Sequence, residues 1–187
     1  MNINQNISDN PAEKDSAGFY DPSTESFPTS LEGKVLFYIA IAFSVFQVIT
    51  AAHLLDLPSQ ILRAVHVGFL GLLGFPLVCA LKKQNSLFKI LSWGAGILSL
   101  VIAIYQTIEY TPLITRYGDL LPTDIFFGVI ALILVLSAAW IVMGYALTLI
   151  ASIFLSYCFF GKYLPGIFQH RGYDFRQIIE HMSYGTE

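Results

Sequence analysis

Formal charge is scarce in this chain: of 187 residues, 10 are Lys or Arg and 13 are Asp or Glu, together 12%. Soluble globular domains carry about 25%. The shortage of basic residues, with five of the acids gathered in one short stretch (Glu13, Asp15, Asp21, Glu25, Glu32), excludes a basic nucleic-acid face. Cysteine is nearly missing as well. Cys79 and Cys158 each fall inside an apolar run, which fits neither a disulfide framework nor a zinc motif and points to packing. There is no nucleophile with a nearby base, no pair of carboxylates within an apolar run, no phosphate-binding loop and no ligand cluster. The expectation is a protein that is not an enzyme, with no catalytic residue, no metal site and no cofactor.

What the chain does have is apolar surface. Hydrophobic residues make up 55%, aromatics 14%, and the mean hydropathy is +0.64. Such a composition suits a lipid bilayer as solvent. Residues 1–33 differ, being rich in Asn, Ser, Asp, Pro, Thr and Glu. They are expected to form a disordered tail that cannot bury enough apolar area to offset its ordering. The tail also lacks the basic segment, short apolar core and cleavage site of a secretory signal, so the first apolar run is expected to stay in the membrane.

Runs without formal charge occupy residues 35–55, 64–81, 90–108 and 125–161. About 20 helical residues cross the hydrocarbon core, so each of the first three fits one span. The fourth would be about 55 Å long as a single helix. It offers no polar turn for folding back, so the expectation is one span over 125–143 and a bend near Gly144 with a helical extension to 160. Counted between spans, Lys14, Lys34, Lys82, Lys83, Lys89, Lys162, Arg171 and Arg176 fall on one side, and Arg63 and Arg116 on the other. The fold class expected is therefore all-α and polytopic, with four transmembrane helices and both termini inside.

Polar text returns at the end, in "FGKYLPGIFQHRGYDFRQIIEHMSYGTE". Gly161, Pro165 with Gly166, and Arg171 with Gly172 should break the long helix. Asp174 then suits an N-cap, and Gln177 three residues later completes a capping box. Phe175, Ile178, Ile179 and Met182 share one face of the helix that follows, with Gln177, Glu180, His181 and Ser183 on the other. Such a helix is expected to lie at the cytoplasmic interface or dock on a partner.

That C-terminal phrase resembles the junction region of the TAXI-type TRAP transporter permeases, in which a pattern like "FGxYLPGxxxHRGY", a short helix and "GTEG" lead into a large transport domain. "RYGDLLPTDIFFG" (residues 116–128) resembles the family's approach to its fourth span. The likeness is strong at the end of the chain and weak over the first three spans. One departure lies in "SAAWIVMG" (residues 137–144), where the family usually carries an arginine pair. The resemblance implies a four-helix scaffold portion of a sodium-coupled uptake system for organic acids, sited in a bacterial inner membrane. It would brace a mobile elevator domain, supplied by a continuation of this chain or by a separate subunit, and help dock a periplasmic TAXI-type substrate-binding protein. Substrate and sodium sites would lie in the large domain. Under that reading, Asp56, Arg63, Glu109, Arg116 and Asp119 are candidates for partner docking, and Gly161, Pro165, Arg171, Gly172 and Asp174 for the junction.

Several residues have plainer readings. Glu109 could pair with Arg116 or Arg63, though an interfacial acid facing water is the favoured reading. His53 and His66 bracket the first outer loop and could ligate a haem, but a single pair with no CxxCH motif favours a structural role. Gly68, Gly71 and Gly74 permit close helix approach. The alternatives to a transporter scaffold are a free-standing four-span interaction or assembly protein and a small haem-binding electron carrier.

Overall fold

A computed structural model describes residues 30–82 and 84–185. The expected tail at 1–29, Lys83 and the last two residues lie outside them. Helices run over Leu31–Ala51 (α1), Ser59–Leu81 (α2), Ser86–Ile108 (α3), Tyr110–Thr115 (α4), Pro122–Met143 (α5), Tyr145–Phe160 (α6) and Phe175–Tyr184 (α7), with two 3-10 turns at Gly161–Tyr163 and Gly166–Phe168. No strand forms among the described residues. Helix α1 begins inside the expected tail: the Ser30 hydroxyl accepts the Gly33 N–H at 3.3 Å, so residues 31–33 are already helical.

Among the described residues, five segments are long and apolar enough to cross a membrane: α1, α2, α3, α5, and α6 with the turn after it. The expectation of four counted residues 125–161 as one span with an extension. The structure divides that run at Gly144, whose φ of 83° and ψ of 175° are open in practice only to glycine. Two membrane-length helices therefore meet at one residue.

The closest packing joins α2 to α3, and small residues make it possible. A β-carbon on Gly68 would stand 2.6 Å from the Ala103 β-carbon, and one on Gly96 would stand 3.1 Å from the Leu72 α-carbon. A β-carbon on Gly71 would collide with the Ser99 side chain. Between membrane helices hydrophobic burial drives little, so close backbone approach and dispersion hold the pair. Gly74, by contrast, faces open space. Helix α1 leans on α2 through Phe43, whose ring stacks on Phe69 at 5.3 Å and meets His66 edge-on at 4.9 Å. The Glu32 carboxylate accepts the indole N–H of Trp93 at 3.0 Å and pairs with Lys89 at 3.4 Å, which ties the start of α1 to the start of α3.

Helix α5 buries only Asp124 and Gly128. In water the exposed Phe126, Ile133, Val135 and Trp140 would be an aggregation surface, whereas in hydrocarbon they are solvated. Such outward-facing apolar helices are compatible with a multi-pass membrane protein.

The path of the chain after Gly144 sets the placement of everything beyond it. Helix α7 packs on the first turns of α5: the Ser183 hydroxyl donates to the Gly128 carbonyl at 2.9 Å, and the Tyr184 hydroxyl to the Asp124 carbonyl at 2.5 Å. Phe175, at the start of α7, lies 6.1 Å ring to ring from Phe159 near the end of α6. Helix α5 is about 33 Å long at 1.5 Å per residue, so a straight continuation would leave Phe159 far out of reach. Helix α6 must return alongside α5.

Candidate functional site

At the end of the bundle where α2 begins and α3 finishes, the chain collects the polar groups that the spans lack. Glu109 follows the last turn of α3, α4 carries the chain sideways, and Arg116 follows α4 directly. Leu121 is the N-cap of α5, with Pro122 in the first helical position, where a missing N–H does no harm. That register puts Asp124 at the third position of α5, where its Oδ2 accepts the Leu121 N–H at 2.8 Å. The partial positive charge of a helix N-terminus favours a carboxylate there.

Asp124 is fully buried. Its Oδ1 accepts from the Tyr105 hydroxyl of α3 and from Arg116 Nη2 at 3.4 Å. The same Arg116 nitrogen donates to Glu109 Oε2 at 3.1 Å, so one guanidinium joins two carboxylates, while its Nε is buried with no hydrogen-bond partner among the described residues. A buried carboxylate costs several kcal/mol unless it is paired and hydrogen-bonded. Here Arg116, Tyr105, the Leu121 amide and the helix terminus share that task.

Helix α7 closes the cluster from above. Its cap is the expected one, with the Asp174 carboxylate accepting the Arg176 N–H at 3.4 Å and Gln177 Oε1 accepting the Asp174 N–H at 3.2 Å. Its buried face is not. Ile178, Ile179, Glu180 and Tyr184 are buried, whereas Phe175 and Met182, expected on the inner face, are about half exposed. The reason is a long-range bond: the Glu180 carboxylate accepts the Gly118 N–H at 2.6 Å, and that turns the helix. Ile179 and Tyr184 then seat on Gly128, where an added β-carbon would stand 2.5 Å and 3.1 Å from them. Burial, and then the negative charges that Tyr105 and Asp124 can carry nearby, push the Tyr184 hydroxyl pKa well above its ordinary value of about 10.

Further bonds hold α7 to the expected outer loops. Gln60 Nε2 donates to the Tyr184 carbonyl at 2.7 Å, Arg63 Nη2 to the Gly185 carbonyl at 3.2 Å, and Arg176 Nη1 to the Leu120 carbonyl at 3.5 Å. The C-terminal helix and residues 56–63 and 109–121 therefore share one end of the bundle. This corrects the expectation that the segment after 160 faces the α2–α3 connection with the N-terminus. It also means that α7 docks on its own bundle.

Of the candidate docking residues, Glu109 and Arg116 meet around Asp124, so Glu109 does not simply face water. Arg63 joins the same end through Gly185. Asp56 and Asp119 are exposed and form no ion pair among the described residues. His66 does not meet His53: its Nδ1 lies 3.2 Å from Gln47 Nε2, while His53 sits in the exposed turn after α1 with a φ of 53°.

The junction is held from within. Gly161 N-terminates the first 3-10 turn and has no room for a side chain because the His170 ring lies against it. The Gly172 N–H donates to His170 Nδ1 at 2.9 Å, so that nitrogen is unprotonated, and Nε2–H donates to the Tyr157 carbonyl at 3.0 Å. Pro165 starts the second turn, and Gly172 takes a positive φ of 74°. Arg171 is exposed, with its guanidinium over the Tyr173 ring at 5.2 Å.

Asp124, Tyr105 and Tyr184 are functional-site residues that no sequence pattern singled out, and Glu180, expected on the exposed face of α7, is buried. Asp124 carried a signal: it is the last charge before a long uncharged run and follows Pro-Thr at a helix start. Comparison with family models, curated proteins and solved structures finds no match for this chain.

Proposed function

We propose that this chain is the static scaffold portion of a sodium-coupled, binding-protein-dependent uptake transporter of the TRAP type, acting in a bacterial inner membrane. The observation that carries the reading is the partition of the molecule. The interiors of the membrane-length helices are free of formal charge, while Glu109, Arg116 and Asp124 are joined by ion pairs at one end, where the Gly118 N–H also holds Glu180. Carriers place ionisable groups or broken helix ends near the midplane. A chain that fixes its charges at the membrane surface instead is suited to bracing a moving neighbour, with α5 and α6 offering apolar faces to it.

The resemblance of residues 116–128 and 160–187 to TAXI-type permeases supplies the rest: a large membrane domain as neighbour, a periplasmic binding protein docking at the loops, and organic acids as cargo. We read α6 as a fifth crossing in place of the four-span, both-termini-inside arrangement. The free-standing assembly protein is the weaker reading, because the amphipathic helix it needs for recruitment is already seated on α5.

The test is isolation of the protein from its native membrane with gentle detergent. A large polytopic transport domain, fused or tightly associated, together with sodium-dependent organic-acid uptake that disappears on deletion, supports the proposal. Isolation as the sole polypeptide, with uptake unchanged on deletion, refutes it.

A further inference from the structure

Beneath α7, the α2–α3 pair and α5 diverge and leave a groove of about 760 Å³. That volume lies within the range that small-molecule sites occupy, about 300–1,000 Å³. Its body is apolar, with Val67, Leu70, Ile102, Leu132 and Val135 on the walls. Apart from Ser99, whose hydroxyl donates to the Ala95 carbonyl, its polar groups gather toward one end, where Gln60, Arg63, Gln106, Tyr110 and His181 line it. From Arg63 the α2 wall runs to Phe75, twelve residues or about 18 Å deeper. One leaflet of a ~30 Å core has nearly that depth. The α5 wall continues further, to Met143.

At the polar end Arg63 is the lining cation that no carboxylate answers among the described residues. Arg63 is exposed, and its hydrogen bonds go to the carbonyls of Ser59 and Gly185, with no carboxylate in ion-pair range among the described residues. Glu180 also borders the groove, but it is buried and its carboxylate accepts the Gly118 N–H. A guanidinium at headgroup height above an apolar slot one leaflet deep complements an amphiphile with an anionic head. Basic pockets between transmembrane helices bind lipid phosphates in this way. A spanning helix from a partner is the poorer fit, because it needs no cation at one end and would meet His181 and Met182 of α7 there.

We propose that this groove is a structural lipid site, holding the acyl chains of an anionic phospholipid of the bilayer with its phosphate at Arg63. The inference stands whether or not the chain belongs to a transporter.

The experiment is native mass spectrometry of the full chain in detergent, stripped of lipid and titrated separately with phosphatidylglycerol and phosphatidylcholine. One phosphatidylglycerol per chain should survive mild activation, in preference to phosphatidylcholine. Arg63→Gln should lower that preference about fivefold, the scale of one basic residue at an anionic lipid surface, and Arg63→Lys should retain most of it. Ala138→Trp, on the α5 wall, should prevent retention of both lipids. Since Arg63 is exposed, its variants should fold, which α-helical circular dichroism would verify. Equal phosphatidylglycerol preference in the wild type and Arg63→Gln overturns the assignment, as does undiminished retention in folded Ala138→Trp. Finding the groove filled by a partner's helix in the isolated complex also overturns it.

Discussion

Asp124 settles how the polar end is held, because among the described residues it is the one carboxylate with no exposure at all and three different elements converge on it. Replacing it with Asn keeps the shape and removes the charge that Arg116 answers. Loss of one partner from a buried pair costs about 3–5 kcal/mol, and Arg116, about a quarter exposed, should bring the loss toward the lower figure. Asp124→Asn is therefore expected to lower the thermal midpoint in detergent and to speed proteolysis between α6 and α7, while Asp119→Asn changes neither. Tyr184 gives the same end a pH dependence. Its folded pKa is raised, so its contribution is complete below the ordinary tyrosine value of about 10 and is lost as pH climbs from there through the folded value. Titrating the docking of α7 by fluorescence or proteolysis should show an alkaline release that Tyr184→Phe removes, at the cost of the bond to the Asp124 carbonyl, about 1 kcal/mol.

Among elements, the three glycines of α2 separate cleanly. Gly71 meets Ser99 and Gly68 meets Ala103, whereas Gly74 faces open space. Gly71→Leu should force α2 and α3 apart and cost several kcal/mol, as overpacking of a close contact does. Gly74→Ala should be neutral or slightly stabilising through helix propensity. Thermal unfolding of the two variants side by side checks this, and equal losses would show that α2 and α3 do not pack along this seam. Local chemistry of this kind was legible in the sequence: the position of the break at Gly144, the capping box of Asp174 and Gln177, and the turns at Gly161, Pro165 and Gly172 each follow from what a glycine, a proline or a short carboxylate does to its own backbone. The inner face of α7 was not legible. Hydrophobic spacing put Met182 inward and Glu180 outward, and only an amide sixty-two residues away, that of Gly118, makes a buried Glu180 affordable. Asp124 was missed for a related reason, since its partners Tyr105 and Arg116 come from other elements.

For the whole molecule, helices long and apolar enough to cross a membrane were legible in composition, but the sides were not, because the side of every later residue depends on whether α6 goes back. With α6 returning, Lys34, Lys82 and Lys89 of the described residues belong to one face. Arg63, Arg116, Lys162, Arg171 and Arg176 belong to the other. Three against five, among the described residues, removes the excess from which that inside face was inferred, since the rule works through an excess of Lys and Arg. The hydrogen bonds from Gln60, Arg63 and Gly118 to α7 hold only if residues 56–63, 109–121 and 175–184 share one face. Single cysteines in a Cys79→Ala, Cys158→Ala background, probed with a membrane-impermeant maleimide in sealed vesicles of each orientation, decide the matter. Gln84→Cys and Tyr145→Cys are expected to react from one side, and Asp56→Cys, Asp119→Cys and Tyr173→Cys from the other. If Tyr173→Cys reacts with the Gln84→Cys group while Asp119→Cys does not, α6 fails to cross, α7 cannot be docked over Asp124, and the polar end described here comes apart.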